Sequence, residues 1–146
     1  MRPMRRGLVV AAVVATCLPA SAIAANAPGV PVHATLRGSV VVPTKGSPSG
    51  SGRIVIRLNG KTGKACWAIT TKRIGGALST HVHRGLPGKT GRVVIPLGDT
   101  YHARGCVMLP KNVINAVAAN PGRYYVDLHT RAYLNGALRG QLHKGP

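Results

Sequence analysis

The segment RIVIRLNGKTGKACWAI, residues 53–69, decides how the rest of the chain is read. Ile54, Ile56 and Leu58 alternate with Arg53, Val55 and Arg57, so one side of an extended strand is apolar and the other carries charge. Asn59-Gly60 then starts a turn whose positive backbone dihedral these residues tolerate, and a second β-prone run passes through Trp67. The unit is a hairpin. Outward from it, short β-prone runs recur roughly every ten residues between Gly, Pro, Ser and Asn, the pattern of a β-sandwich or barrel. The expected strands are 32–42, 53–58, 65–71, 77–82, 91–96, 104–109, 123–129 and 137–142, with GSPSGSG (46–52) as a flexible loop. One stretch departs from the pattern. In 110–122, Val113, Ile114 and Val117 sit at helical spacing and Asn120-Pro121-Gly122 stops the run, so a short helix connects two strands.

The first 24 residues read as an export leader. Arg2, Arg5 and Arg6 precede an apolar stretch, 8–18, too short to span a bilayer, and Ala22-Ile23-Ala24 gives a small-x-small cleavage pattern. The expected division is therefore a signal peptide at 1–24 and one domain at 25–146. No second apolar segment long enough to cross a membrane follows, and the expected location is secreted, periplasmic or extracellular. Cys17 leaves with the leader. The remaining pair, Cys66 and Cys106, is most simply one disulfide in an oxidising compartment, and its spacing is not that of a structural zinc site.

Charge is lopsided. The chain carries 20 Lys and Arg against 2 Asp and Glu, and the only acids are Asp99 and Asp127. Net +18 less the three leader arginines leaves +15 on the mature chain. Such a surface attracts anions over a Debye length, about 8–10 Å at physiological salt. The expected partners are anionic polysaccharide, lipid head groups or another envelope polymer. Specific nucleic-acid recognition is not expected, because one Trp, four Tyr and no Phe offer no stacking platform and no basic helix appears.

STHVHRG, residues 79–85, and YYVDLHT, residues 124–130, carry the candidate site. Alternation puts His81 and His83 on one strand face, with Val82 on the other. In the second segment it groups Tyr125, Asp127 and His129, leaving Tyr124, Val126 and Leu128 for the core. Imidazole nitrogens suit zinc or copper, and Asp127 is placed either as an oxygen ligand or as the acceptor that orients a histidine. A disulfide-stapled pair of sheets would bring these strands together. The bland possibility is a set of polar contacts without an ion. His33, His102 and His143 have no evident partner.

With these segments in view, the chain resembles a CHRD domain, the chordin-type module of secreted proteins. The resemblance rests on His81-x-His83-x-Gly85, on Tyr125-Val126-Asp127-Leu128-His129-Thr130 and on Gly136-x-x-Arg139-Gly140-Gln141-Leu142, with ATLRGSVVVPT as the opening strand. It implies an extracellular, all-β, antiparallel Greek-key-like β-sandwich of about seven to eight strands with one short connecting helix. Val41 and Ala137 stand where the family often has glutamates, and Asp127 stands where it often has Asn. In the third block Arg139 is expected to tie strand to loop through backbone carbonyls; an anion-binding site at Arg139 and Gln141 is the alternative.

No hydrolase constellation accompanies these features. Two distant acids do not make a carboxylate pair, no serine sits in a G-x-S-x-G elbow, and no glycine-rich phosphate loop opens a helix. No catalytic residue is assigned. The sequence reads as a binding module with a cationic surface, or alternatively as a histidine-based copper- or zinc-binding protein for metal carriage or redox protection.

Overall fold

The computed structural model describes residues 28–145, so the expected leader and its cleavage point lie outside the described residues. Nine strands run in chain order: β1 (Val30–Arg37), β2 (Ser51–Asn59), β3 (Lys64–Lys72), β4 (Ala77–Arg84), β5 (Val93–Pro96), β6 (Arg104–Met108), β7 (Tyr124–Thr130), β8 (Tyr133–Gln141) and β9 (His143–Lys144). Helix α1 (Lys111–Ala119) joins β6 to β7. Among the described residues no helix is long and apolar enough to cross a membrane.

The strands hydrogen-bond in the order β5-β4-β7-β8-β1-β2-β3-β6, with β9 added to β1. Every pairing is antiparallel. β1 is where this ribbon turns over: it pairs with β2 along its whole length, but meets β8 at Arg37 alone and β9 at its opposite end. The two halves then face each other. Val82, Ile95, Val126, Leu128 and Leu138 from one side share a core with Ile54, Ile56, Leu58, Trp67 and Ile69 from the other. Ile114 and Val117 of α1 join that core, as their helical spacing requires.

The hairpin at 53–69 forms, with Ile54 opposite Ile69, Ile56 opposite Trp67 and Leu58 opposite Ala65. Its turn differs from expectation. Residues 60–63 make a four-residue loop in which Asn59 Oδ1 accepts from the amides of Lys61 and Thr62, at 3.1 and 3.2 Å. The left-handed residue is Gly63, at φ +80°, not Asn59 or Gly60.

Other boundaries move too: β2 starts at Ser51, inside the loop expected at 46–52, and β4 runs on to Arg84. The first strand stops at Arg37 instead of reaching 42, because Gly38–Val40 closes a 3-10 turn and Pro43 has no amide for a ladder. The last long strand starts early, at Tyr133, where a tight hairpin sets it opposite Thr130. The disulfide forms between Cys66 and Cys106, which face each other across β3 and β6 with Cα atoms 4.0 Å apart. It ties an edge strand to its neighbour within one layer. It does not staple the two layers, which are held by β1 and the apolar core.

The bridge spans 40 residues of sequence. Replacing both cysteines (Cys66→Ala with Cys106→Ala) is expected to lower the unfolding free energy by about 4 kcal/mol through loop entropy, measured by urea denaturation. The circular dichroism spectrum should stay that of a β protein, since the strand ladders and the apolar cluster between the layers do not include either cysteine side chain.

Candidate metal centre

Strand register assembles the site. β7 lies between β4 and β8, so His81, Asp127 and Arg139 form one row across three strands. His83, Tyr125 and Gln141 form the adjacent row, and His129 faces Ser79 in the next. Alternation aims these side chains away from the core that Val82, Val126 and Leu128 fill. The histidines thus converge on the outer face of the layer, not between the two layers.

Asp127 is the centre of the cluster and is only 8% exposed. Its Oδ2 lies 3.0 Å from His83 Nε2, and its Oδ1 lies 3.1 Å from His129 Nε2 and 3.5 Å from His81 Nδ1. All four donor atoms fall within 4.8 Å of one another, so the group could hold a metal ion. These contacts are short enough for the rings, when protonated, to donate to the carboxylate. His81 Nδ1, His83 Nε2, His129 Nε2 and Asp127 Oδ1 are all buried and meet no partner outside the cluster.

The far nitrogens are fixed. His83 Nδ1 lies 2.8 Å from the Gly91 carbonyl, and His129 Nδ1 lies 2.9 Å from the Leu134 carbonyl. A carbonyl only accepts, so Nδ1 carries the proton in both rings. In the neutral ring this leaves the Nε2 lone pair facing the cluster, the orientation that metal-ligating histidines require. Gly91 can have no side chain: a Cβ there would overlap the Arg84 carbonyl. His83 also stacks on Tyr125, with ring centroids 4.9 Å apart and planes within 9°. Arg139 covers the same tyrosine from the β8 side, its Cζ 3.5 Å from the ring centroid. The cluster opens on a cleft of about 370 Å³ that His83, Asp127 and His129 line together with Val41, Val42, Pro43 and Leu134.

Arg139 and Gln141 are placed next to the cluster but donate elsewhere. Arg139 Nη2 binds the Leu86 and Lys89 carbonyls at 3.2 and 2.6 Å, and Gln141 Nε2 binds those of Gly85 and Gly122, both at 2.8 Å. Together they pin the 85–91 loop, whose Gly91 orients His83. Val41 and Ala137, where the resemblance leads one to expect glutamates, are both buried and add no charge here. His33 and His143 lie outside the cluster as a pair opposite each other on β1 and β9. His102 also lies outside the cluster: its carbonyl accepts from the Trp67 indole at 2.9 Å and its Nε2 lies 3.4 Å from Thr100 Oγ1.

Sequence reading missed the residues that orient the ligands. Gly91 and Leu134 act through backbone carbonyls, which leave no side-chain signal. The stacking of Tyr125 was half visible, since alternation had already put it beside Asp127 and His129.

Protonation follows from the geometry. Burial pushes the Asp127 carboxyl up, but the three histidines outweigh it and hold the group well below the usual carboxylate range. Burial pulls His83 down, and the Asp127 contact and charge override it, leaving His83 raised. His129 is raised chiefly by Asp127, against a smaller desolvation effect. Without a metal, Asp127 is therefore a carboxylate beside two rings, His83 and His129, that hold protons more tightly than usual.

A family model described as the CHRD domain matches residues 32–142. No curated protein and no solved structure gives a significant match.

These shifts set the pH dependence of the metal-free protein. Raised His83 and His129 contribute stability that is fully present below their unfolded value of 6.5 and is lost as pH rises through their higher folded values. Depressed Asp127 contributes stability present above its unfolded value of 3.8 and lost as pH falls through its lower folded value. Urea midpoints measured across pH should peak between 3.8 and 6.5, and Asp127→Asn should flatten the alkaline limb. An alkaline limb unchanged in that variant would remove Asp127 as its cause.

Proposed function

This chain belongs to the CHRD-domain family, and from that premise we propose that it is an extracytoplasmic binding module that holds one transition-metal ion through His81, His83, His129 and Asp127. One observation carries the reading: four buried donor atoms gathered within 4.8 Å, three imidazole nitrogens converging on one carboxylate. Ligands at ~2.0–2.1 Å from a tetrahedral ion are ~3.3–3.4 Å apart, so the widest pair has to close by no more than about 1.5 Å. Three imidazoles and one carboxylate favour zinc or copper; a calcium or magnesium site would be built from oxygens. The bound ion replaces the protons that otherwise sit between the rings and Asp127, so uptake strengthens as pH rises above the histidine values. The role that fits this site is metal carriage or sequestration.

The exported location rests on the cysteine pair, the leader-like first 24 residues and the family itself. A second reading has its own support. Among the described residues no Lys or Arg lies within 4.0 Å of a carboxylate, so the exterior keeps its full positive charge toward anionic envelope polymers.

Calorimetric titration of the metal-free protein with zinc and with copper is expected to show one ion bound per chain, at about micromolar affinity or tighter. His81→Ala with His83→Ala should abolish the binding. Affinity should rise with pH and change little between low and high salt, whereas polymer binding should fall steeply with salt through counterion release. Absence of heat with either metal would overturn the metal reading and leave the cationic surface as the functional feature.

A further inference from the structure

A second cleft, of about 380 Å³, lies across β8 from the histidine cluster and contains none of its four ligands. Register explains its position. The row His81–Asp127–Arg139 continues to Arg37 on β1, because Arg37 is the one residue of β1 paired with β8. With strands about 4.8 Å apart, Arg37 stands about 10 Å from Asp127, with Arg139 between them. Two arginines directly opposite on neighbouring strands repel each other, and such pairs are destabilising unless something compensates.

Two loop carbonyls and the Tyr125 ring meet Arg139, but among the described residues no carboxylate contacts either arginine. Among the described residues no carboxylate lies within 4.0 Å of Arg37, Arg139 or Lys45, and all three line this cleft. Arg139 is fixed there: it is 4% exposed, tied to two carbonyls and laid over Tyr125. Arg37 and Lys45 are exposed at the rim. The remaining walls alternate in chemistry. Val40, Val42 and Pro87 are apolar, while Thr35 and Ser39 bring hydroxyls that both donate and accept.

We propose that this cleft is a binding site for a small polyhydroxylated oxyanion, an acidic sugar carrying a carboxylate or a phosphate ester. The anion sits among Arg37, Lys45 and Arg139 and relieves their repulsion through charge-assisted hydrogen bonds. The hydroxyls meet Thr35 and Ser39, and the C–H faces of the sugar ring lie against Val40, Val42 and Pro87. The volume is at the low end of ligand pockets, roughly 300–1,000 Å³, which suits one sugar unit or two. This differs from a diffuse attraction to polymers, because it has one place and needs hydroxyls as well as charge. It does not depend on the metal centre.

Amide chemical-shift titration of the metal-free protein with glucuronate, glucose 6-phosphate and glucose tests the site. Either acid should move amides of residues 35–45, 86–89 and 139–141, with glucose at least about tenfold weaker, the size of a lost charge-assisted interaction. Binding by glucuronate alone assigns the carboxylate, and binding by glucose 6-phosphate alone assigns the phosphate ester. Arg37→Ala with Lys45→Ala, both exposed, should weaken the acids about tenfold. Lys64→Ala with Arg104→Ala, an equal loss of charge on β3 and β6, should change affinity less than about twofold. Shifts spread evenly over the cationic surface, equal binding of glucose, no binding of either acid, or equal losses in the two double variants would each overturn the proposal.

Discussion

The centre of this protein is the burial of one negative charge. Asp127 sits in the middle of β7, flanked on both sides by paired strands, and its carboxylate is nearly sealed from water. A bare carboxylate in such a place is unfavourable by several kcal/mol unless positive charge or directed donors meet it. Three imidazoles supply the compensation, in one of two forms. With protons on the rings, the cluster is an ion-pair network; with the rings neutral, it is a ligand set that lacks only its cation. Both forms use the same atoms, so a metal bound there would have to displace the protons.

What makes the cluster a site is its support. β4, β7 and β8 are backed by the shared apolar core, so the ligand-bearing backbone is held on its inner side. On the outer side, the 85–91 loop is fixed by Arg139 and Gln141, and through Gly91 it fixes the His83 ring. Leu134 does the same for His129 from the start of β8. Tyr125 packs between His83 and Arg139, so the guanidinium that pins the loop also covers the ring stacked on a ligand. Such outer contacts keep donors pre-oriented, so less order has to be imposed when an ion arrives.

Charge outside the cluster follows a different logic. With two acids in the chain, most cations must face water unpaired, and attraction to anions is built into the whole exterior. At Arg37, Lys45 and Arg139 that general property becomes local, because strand pairing stacks arginines across β1 and β8 beside a walled cleft. Cation focusing and a shaped cavity then occur in the same place.

The sequence by itself determined the strands and the faces of their side chains, because alternation is a local property that each segment displays alone. It placed eight of the nine strands, several with shifted ends, a short helix within 110–122 and the cysteine pair, and it grouped His81 with His83 and Asp127 with His129. It also carried the family, through blocks of residues that the fold puts side by side. Tertiary structure decided the rest. That β7 would lie between β4 and β8 is a matter of long-range pairing, which no single segment encodes, and only that pairing turns two histidine-bearing strands into one cluster. It also decided that the disulfide joins neighbours within a layer and that Arg37 comes to rest beside Arg139. Carbonyls that orient ligands and arginines that meet across strands are products of register, and register is set by the whole core at once.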